Sequence, residues 1–178
     1  WGEGAGFRGY WGAKHPNNHE NPLLPPGWVG DKSIYFVDVP MRNEQEMFDL
    51  ILNVAKTDER IRAVYMNGSR TNPNVKKDRY QDYDIVYVVT ETKSFLENKH
   101  WISVFGDIAM FQEPDLNDLG FGEQHDFSRS YAWLMLFQDG NRLDLGIEIK
   151  EKTLEGFSDD RLTITLLDKD NCLPQIPP

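Results

Sequence analysis

Two apolar segments separated by a short turn place the strongest constraint on the fold of this chain. The segments YAWLMLFQ, residues 131–138, and RLDLGIEIK, residues 142–150, are rich in residue types that favour strands. Between them lie Asp139, Gly140 and Asn141, and the last two both tolerate the positive φ angles of tight turns. The pattern predicts a β-hairpin, so the sheet contains at least one antiparallel pair.

The segment MRNEQEMFDLILNVAKTDERI, residues 41–61, has the residue spacing of an amphipathic helix. Its apolar side chains recur at intervals of three and four residues, which places them on one helical face: Met47, Leu50, Ile51 and Val54. Asn43 is followed three residues later by Glu46, which matches the capping box found at helix starts. The sequence therefore predicts a helix that begins close to Asn43.

Runs of β-branched and aromatic residues predict four further strands. They are IRAVYMN at 61–67, YDIVYVVT at 83–90, IAMFQ at 108–112 and RLTITLLD at 161–168. A second helix is predicted at 94–106, between two of these strands. A strand–helix–strand unit beside an antiparallel hairpin is typical of an α/β (α+β) fold with a mixed sheet flanked by helices.

Residues 1–40 differ in composition from the rest of the chain. They hold 7 of the 14 glycines and 5 of the 10 prolines, which disfavour regular structure. We therefore expect an irregular N-terminal extension over 1–40, with one strand near Ile34–Val39, and a folded domain over 41–178. Because Met41 is a natural starting residue, the extension is not expected to belong to the domain.

Charge and cysteine content narrow the classes of partner and location. The formal net charge of −10 disfavours nucleic acid as a partner, because phosphate binding needs clustered Lys and Arg, and favours a small polycation. No apolar run approaches the roughly 20 residues of a membrane span. The single Cys172 cannot form an internal disulfide, and no signal peptide is recognised, so a cytoplasmic location is predicted.

Two aspartates separated by one tyrosine open the strand predicted at 83–90. Side chains at positions i and i+2 of a strand share a face, so Asp82 and Asp84 are expected to point the same way. Two carboxylates this close repel each other unless a cation lies between them or one is protonated. Their hard oxygen atoms suit Mg²⁺. The alternative is a pair of solvated acids at the start of a strand.

A third acid, Asp144, lies within the second strand of the predicted hairpin. It shares a face with Arg142, Gly146 and Glu148, whereas the alternate residues of that strand are apolar. Asp144 becomes a third carboxylate of the site if its strand lies next to the strand of Asp82 and Asp84. The alternative is the solvent face of an edge hairpin. Glu148 is a weaker candidate for holding a cationic substrate.

The turn Gly68-Ser69-Arg70 follows the strand predicted at 61–67. Glycine allows close approach of the backbone to a ligand, and adjacent N–H groups with a hydroxyl can bind phosphate oxygens. Arg70 adds a charge-assisted contact to such a group. Gly-Ser by itself is also an ordinary turn, so its value depends on its pairing with Asp82 and Asp84.

These residues carry a family resemblance. Gly68-Ser69, a spacer and Asp82-x-Asp84 resemble the signature of the nucleotidyltransferase superfamily, which includes the polymerase β-like enzymes. Six ordered blocks from Met41 to about Asp170 are similar to the aminoglycoside 6-adenylyltransferases, which modify streptomycin. The blocks are MRNEQEM, DERIRAVYMNGSRTNPN, QDYDIVYVVT, FGDIAMFQEP, FQDGNRLDL and LLDKD.

The resemblance implies a polymerase β-like nucleotidyltransferase fold and a specific reaction. AMP would pass from ATP to the 6-hydroxyl of streptomycin, a cationic aminoglycoside, with release of pyrophosphate and resistance to the antibiotic as the result. Asp82, Asp84 and Asp144 would be catalytic residues that bind Mg²⁺. Gly68, Ser69 and Arg70 would hold the nucleotide.

Two departures from the family pattern leave alternatives open. The helical C-terminal domain of the family is not found in the 178 residues, and the forty-residue extension is not a family feature. One alternative is a nucleotidyltransferase that acts on another small molecule or on a protein. The other is a truncated, non-catalytic nucleotide-binding remnant. The sequence does not indicate an oligomeric state.

Overall fold

A computed structural model describes residues 39–98, 100–119, 124–157 and 162–175. The chain divides into two units, Trp1–Val37 and Asp38–Pro178, and every described residue belongs to the second. The predicted N-terminal extension and the strand near Ile34–Val39 therefore lie outside the described residues, apart from residues 39 and 40, which belong to no helix or strand.

In the described part of the chain, six strands form one mixed sheet in the order β3-β4-β5-β2-β1-β6. The strands are β1 Ile61–Asn67, β2 Tyr83–Val89, β3 Ile108–Gln112, β4 Ser130–Phe137, β5 Arg142–Ile149 and β6 Ile164–Asp168. The pairing of β2 with β5 is parallel, and the other four pairings are antiparallel. The predicted mixed sheet is confirmed.

The helices of the described residues are mostly short. They are α1 Glu44–Thr57, α2 Lys93–Glu97, α3 Pro114–Asp118 and α4 Lys150–Gly156, with 3₁₀ turns at Ser69–Thr71 and Trp101–Phe105. None of these helices is both long and apolar enough to cross a membrane.

The predicted capping box at the start of α1 is confirmed. The Asn43 side-chain oxygen accepts a hydrogen bond from the Glu46 N–H at 3.0 Å, and Glu46 accepts one from the Asn43 N–H at 2.7 Å. Each bond satisfies an N–H group that has no partner within the helix. The helix ends at Thr57 rather than Ile61, because Ile61 already pairs with β2.

The predicted second helix is wrong as a continuous element. It divides into α2 and the 3₁₀ turn Trp101–Phe105, since Asn98 leaves the helical conformation at φ −97° and ψ 79°. The Asn98 side-chain oxygen accepts a hydrogen bond from the His100 N–H at 3.3 Å, and its carbonyl accepts one from Trp101. Asparagine competes with a helix through such local bonds.

The β4–β5 hairpin forms as predicted, but its turn uses one of the two expected residues differently. Gly140 has a φ of +85°, whereas Asn141 does not take a positive φ. The Asn141 side chain instead donates hydrogen bonds to Asp139 and to the Arg42 carbonyl, both at 3.1 Å. Arg42, the residue before the N-cap of α1, therefore helps to hold the turn by accepting a hydrogen bond from Asn141.

The two faces of the sheet are covered unequally. Tyr83, Ile85 and Tyr87 of β2 are buried on the face that packs against α1 and the 3₁₀ turn Trp101–Phe105. The opposite face has a smaller apolar cluster, which includes Tyr65, Val88 and Phe157 next to α4. That cluster covers only one end, so the end where β2 and β5 begin carries polar side chains.

Candidate active site

Asp84 and Asp144 lie side by side on the two parallel strands at the centre of the sheet. They are direct register partners in the β2–β5 pairing, and both side chains are partly buried. β5 lies between β4 and β2, so the alternative of an exposed edge hairpin for Asp144 does not apply. Asp82 lies just before β2, one residue outside the strand, so only one of the predicted pair is a strand residue.

Arg142, the first residue of β5, joins two of the acids. Its guanidinium forms two hydrogen bonds to Asp144, at 2.9 Å and 2.8 Å, and one of its nitrogens lies 3.2 Å from Asp82 Oδ2. The sequence places Arg142 on the face of Asp144, but its contact with Asp82 depends on the parallel register of two distant segments. One signal could have predicted it. Arg142 precedes Asp144 by two residues, just as Asp82 precedes Asp84, so a parallel pairing of Asp84 with Asp144 also brings Arg142 beside Asp82.

The electrostatics of the acids are unfavourable for a full set of negative charges. Burial raises the pKa of Asp84, and the charges of Asp144 and Asp82 raise it further, against the lowering effect of Arg142 and Arg70. Burial also raises the pKa of Asp144, while the hydrogen bonds from Arg142 lower it. Additional positive charge would therefore stabilise the ionised site.

The donor chemistry of the three acids fits a divalent cation. Carboxylate oxygens that are partly buried and repel one another are the ligands that Mg²⁺ takes in phosphate-handling sites. As the side chains stand, no three His, Cys, Asp or Glu groups within the described ranges are arranged around a common metal position. The guanidinium of Arg142 lies against Asp82 and Asp144 in this arrangement.

Gly68 lies directly against one of the acids, Asp84. Its φ is +77°, a conformation that side chains other than glycine rarely adopt, and a Cβ atom there would lie 2.0 Å from Asp84 Oδ2. Its neighbour Asn67 is the register partner of Asp84 in the β1–β2 pairing. The Gly68-Ser69 turn and the acid pair, which the sequence separates by a spacer, therefore form one site.

Ser69 and Arg70 face different surroundings. Ser69 is exposed, and its hydroxyl accepts a hydrogen bond from Gln81 Nε2 at 3.3 Å. Arg70 is only 5% exposed, stacks 3.7 Å over the Tyr83 ring and donates to the carbonyls of Gln81 and Asp82 at 2.6 Å and 3.0 Å. These contacts hold the backbone before β2, and a contact of Arg70 with phosphate stays a prediction.

Glu148 lies at the other, covered end of the acid-bearing face. It accepts hydrogen bonds from the Tyr65 hydroxyl at 3.1 Å and from Thr153 Oγ1 at 3.0 Å. Burial and the charge of Glu148 together raise the pKa of Tyr65, so the hydroxyl remains a donor. The structure does not bring Glu148 together with the three aspartates, and its part in holding a cationic substrate stays a prediction.

Comparison with known proteins assigns the chain to a family. Residues 41–178 match the sequence model of the family described as streptomycin adenylyltransferase. The chain belongs to this family. The fold is that of a nucleotidyltransferase, since the chain is similar to the crystal structure of an aminoglycoside 6-adenyltransferase from Bacillus subtilis, with a TM-score of 0.59 and 35% identity over 76% of this chain and 44% of that one.

Two curated aminoglycoside 6-adenylyltransferases are similar to the chain in sequence. The aminoglycoside 6-adenylyltransferase of Bacillus subtilis strain 168 is 46% identical over 132 residues, which is 74% of this chain and 45% of that protein. The enzyme of the same name from Campylobacter jejuni is 42% identical over 139 residues, covering 77% and 47%. The chain therefore spans less than half the length of these relatives.

Proposed function

We propose that this domain transfers AMP from ATP to the 6-hydroxyl of streptomycin, releases pyrophosphate and so confers resistance to the antibiotic. The observation that carries the proposal is the position of Asp84, which is the register partner of Asp144 and lies directly against Gly68. Acids for a cation and a glycine turn for phosphate are the two parts that nucleotidyl transfer needs, because the reaction moves a highly charged group.

Asp82, Asp84 and Asp144 are the residues that would hold Mg²⁺ in this proposal. The cation would neutralise negative charge on the phosphates and on the departing pyrophosphate. The role of the chain itself is to keep the three carboxylates on one face and partly out of water, which strengthens their interaction with any cation. Asp144 serves either as a metal ligand or as the base that accepts the proton of the attacking hydroxyl.

The Gly68-Ser69 turn is the proposed binding site for the triphosphate. The exposed hydroxyl of Ser69 is free to donate to a ligand, and the absence of a side chain at Gly68 allows its backbone to lie beside Asp84. Arg70 supports the site by donating to the backbone carbonyls of Gln81 and Asp82, the segment that carries the first acid. A direct contact of Arg70 with the nucleotide belongs to the proposal.

The net charge of −10 favours the cationic acceptor, since a negative surface attracts a polycation. The curated relatives are named for transfer to the 6-position of aminoglycosides, which supports the same acceptor for this chain. A cytoplasmic location, where ATP is available to the reaction, is part of the proposal.

The proposal is tested by pyrophosphate release with ATP, Mg²⁺ and streptomycin, with binding of ATP measured separately by calorimetry. Asp84→Asn is expected to lower the rate about 100-fold or more, because loss of a metal ligand removes several kcal/mol of transition-state stabilisation. The matched control is Asp49→Asn, which removes the same charge from an exposed position on α1 and should leave the rate unchanged.

The outcomes separate the competing functions. Turnover with streptomycin that depends on Asp84 supports the proposal. Turnover with another small molecule or a protein, but not with streptomycin, overturns the acceptor and keeps the nucleotidyl transfer. ATP binding without turnover on any acceptor overturns the enzymatic proposal in favour of a non-catalytic nucleotide-binding domain.

A further inference from the structure

Arg142 is the charged residue that organises the acid cluster. Its guanidinium forms the two-bonded contact with Asp144 and reaches Asp82 at 3.2 Å. The hydrogen bonds that Arg142 donates to Asp144 raise the pKa of Arg142 most, and the charges of Asp144, Asp82 and Asp84 raise it further. One cation is therefore shared among three carboxylates that would otherwise repel one another.

The contact between Arg142 and Asp144 has good hydrogen-bond geometry but is open to solvent. The side chain is 44% exposed, compared with 19% for Asp144. Ion pairs with this exposure are weak, because water screens the charges. The pair therefore holds the geometry of the acids without preventing Arg142 from leaving.

The side chain has a place to which it can move. A cavity of about 210 Å³ adjoins Arg142 on the same face of the sheet, and its lining includes Met110, Gln112, Leu134 and Leu136. The long aliphatic part of an arginine packs well on such apolar side chains while its charged end stays in water. Release of the guanidinium from the acids thus needs no change in the buried core.

We propose that Arg142 is a built-in cation that positions Asp82 and Asp144 and is displaced from them when a divalent cation binds. The guanidinium and the divalent cation compete for the same carboxylate oxygens, so Arg142 lowers the affinity of the site for free metal while keeping the acids aligned. The inference rests on the proposed function in one respect, which is that these acids bind a divalent cation.

A metal-binding measurement tests the competition without any enzymatic assay. Mn²⁺ binding is followed by electron paramagnetic resonance in the wild-type chain and in Arg142→Gln, Arg142→Lys and Arg129→Gln. Arg142→Gln is expected to bind Mn²⁺ about threefold to tenfold more tightly, as two exposed ion pairs no longer compete. Arg142→Lys should be intermediate, because it keeps the charge but loses the planar two-bonded contact.

Arg129→Gln is the matched control. Arg129 is also a partly exposed arginine in an ion pair, 2.5 Å from Glu155, but on a different part of the molecule. Its replacement should change the Mn²⁺ affinity by less than about twofold, as long-range effects between exposed charges are screened. A circular dichroism spectrum and a thermal melt of each variant show whether it is folded.

A second measurement uses the unmodified protein and observes the displacement directly. The side-chain Nε–H signal of Arg142, assigned by its loss in Arg142→Lys, is followed by ¹⁵N NMR during titration with Mg²⁺. Its chemical shift should at the start reflect the hydrogen bond that Nε donates to Asp144 at 2.9 Å, and should move toward the value of a fully hydrated arginine as the cation binds.

The results distinguish failure of the inference from failure of the proposed function. If Mn²⁺ binds wild-type and Arg142→Gln equally, or if the Arg142 signal is unchanged when Mg²⁺ saturates the site, Arg142 is not displaced and the inference is wrong. If neither protein binds Mn²⁺, the metal site of the proposed function is wrong, and the inference falls with it.

Discussion

The two faces of the sheet show opposite chemistry on the same strands. On β2, Tyr83 and Ile85 are buried against the α1 side, whereas Asp84 between them points to the other face. On β5, Leu143 and Leu145 are fully buried and Asp144 is not. Because strand side chains alternate, one pair of strands supplies both the apolar core and the acid cluster. Substitution of a buried residue should therefore lower stability, whereas substitution of the acid next to it in the sequence should lower activity.

Adjacent residues of β5 give the largest expected separation of these effects. Leu145→Ala should lower the free energy of unfolding by about 2–5 kcal/mol, because it leaves a cavity in the core. Asp144→Asn should lower the transfer rate about 100-fold or more, whether the residue is a ligand or a base. Urea denaturation and pyrophosphate release, measured on both variants, check the two effects.

Asp144→Asn is not expected to destabilise the fold. The pKa of Asp144 is raised in the folded protein, so its ionised form opposes folding, and this cost appears as the pH rises through the folded-state pKa. The amide removes that cost while losing an exposed pair with Arg142, so stability at pH 7 should change by less than about 1 kcal/mol. A loss as large as that of Leu145→Ala would contradict the separation of the two faces.

Gly68 tests the contact between the turn and the acids. Gly68→Ala should lower the free energy of unfolding by about 2–4 kcal/mol, since it adds backbone strain to a clash with the Asp84 carboxylate. Activity per folded molecule should also fall, because Asp84 must shift. Thermal melts and initial rates, corrected for the folded fraction, measure both quantities.

Gly140→Ala is the matched control for Gly68→Ala. It places alanine at a similar φ of +85°, but the added Cβ meets only Met41, at 3.4 Å, and no acidic side chain. We expect a loss of about 1–2 kcal/mol in stability from the backbone alone, with unchanged activity per folded molecule. Equal effects of the two substitutions on activity would show that the turn does not act through Asp84.

Asp139, in the hairpin turn that leads into β5, is expected to make a contribution to stability that is lost in acid. Burial opposes ionisation of Asp139, but hydrogen bonds from Arg42 and Asn141 lower its pKa to about 2. A lowered folded-state pKa gives stability that is present above the unfolded pKa and is lost as the pH falls from about 4 to about 2. Asp139→Asn should remove about 2 kcal/mol of this pH-dependent stability.

Denaturant titrations at pH 7, 4 and 2.5 test that expectation. The wild-type protein should lose more stability than Asp139→Asn between pH 4 and pH 2.5. Parallel curves for the two proteins would show that the contacts of Asp139 with Arg42 and Asn141 do not depend on its charge.

The covered end of the acid-bearing face gives the smallest effect. Tyr65→Phe removes the hydrogen bond to Glu148 but keeps the ring that packs edge-on against Phe157 at 5.1 Å. Stability should fall by about 1 kcal/mol, and the transfer rate should not change. Tyr80→Phe, at an exposed position, is the control. A large loss of activity in Tyr65→Phe would extend the active site to Glu148.

Local signals were sufficient to predict most of the elements. The capping pair Asn43 and Glu46 located the start of α1, and the alternation around Asp144 assigned its face correctly. The family resemblance of the blocks between Met41 and Asp170 is confirmed by the family match over 41–178. The cap and the alternation depend on residues close together in the sequence, so one sequence is enough to predict them.

Long-range pairing was beyond those signals. The parallel register that places Asp144 beside Asp84 joins segments sixty residues apart, and no local pattern specifies it. The same register brings Arg142 to Asp82, and the packing of Tyr83 directs Arg70 toward backbone carbonyls. The break at Asn98 was missed because its own side chain outweighs the helical spacing of its neighbours.

A crystal structure with Mg²⁺ and a non-hydrolysable ATP analogue tests the central claim most directly. We expect the metal to contact oxygens of Asp82, Asp84 and Asp144, with the phosphates at Gly68 and Ser69. A nucleotide bound on the α1 side with no contact to the three acids or to Gly68 and Ser69 would contradict the claim. That side has a cavity of about 530 Å³, whose lining includes the cationic side chains of Arg42, Arg70, Lys77 and Arg79.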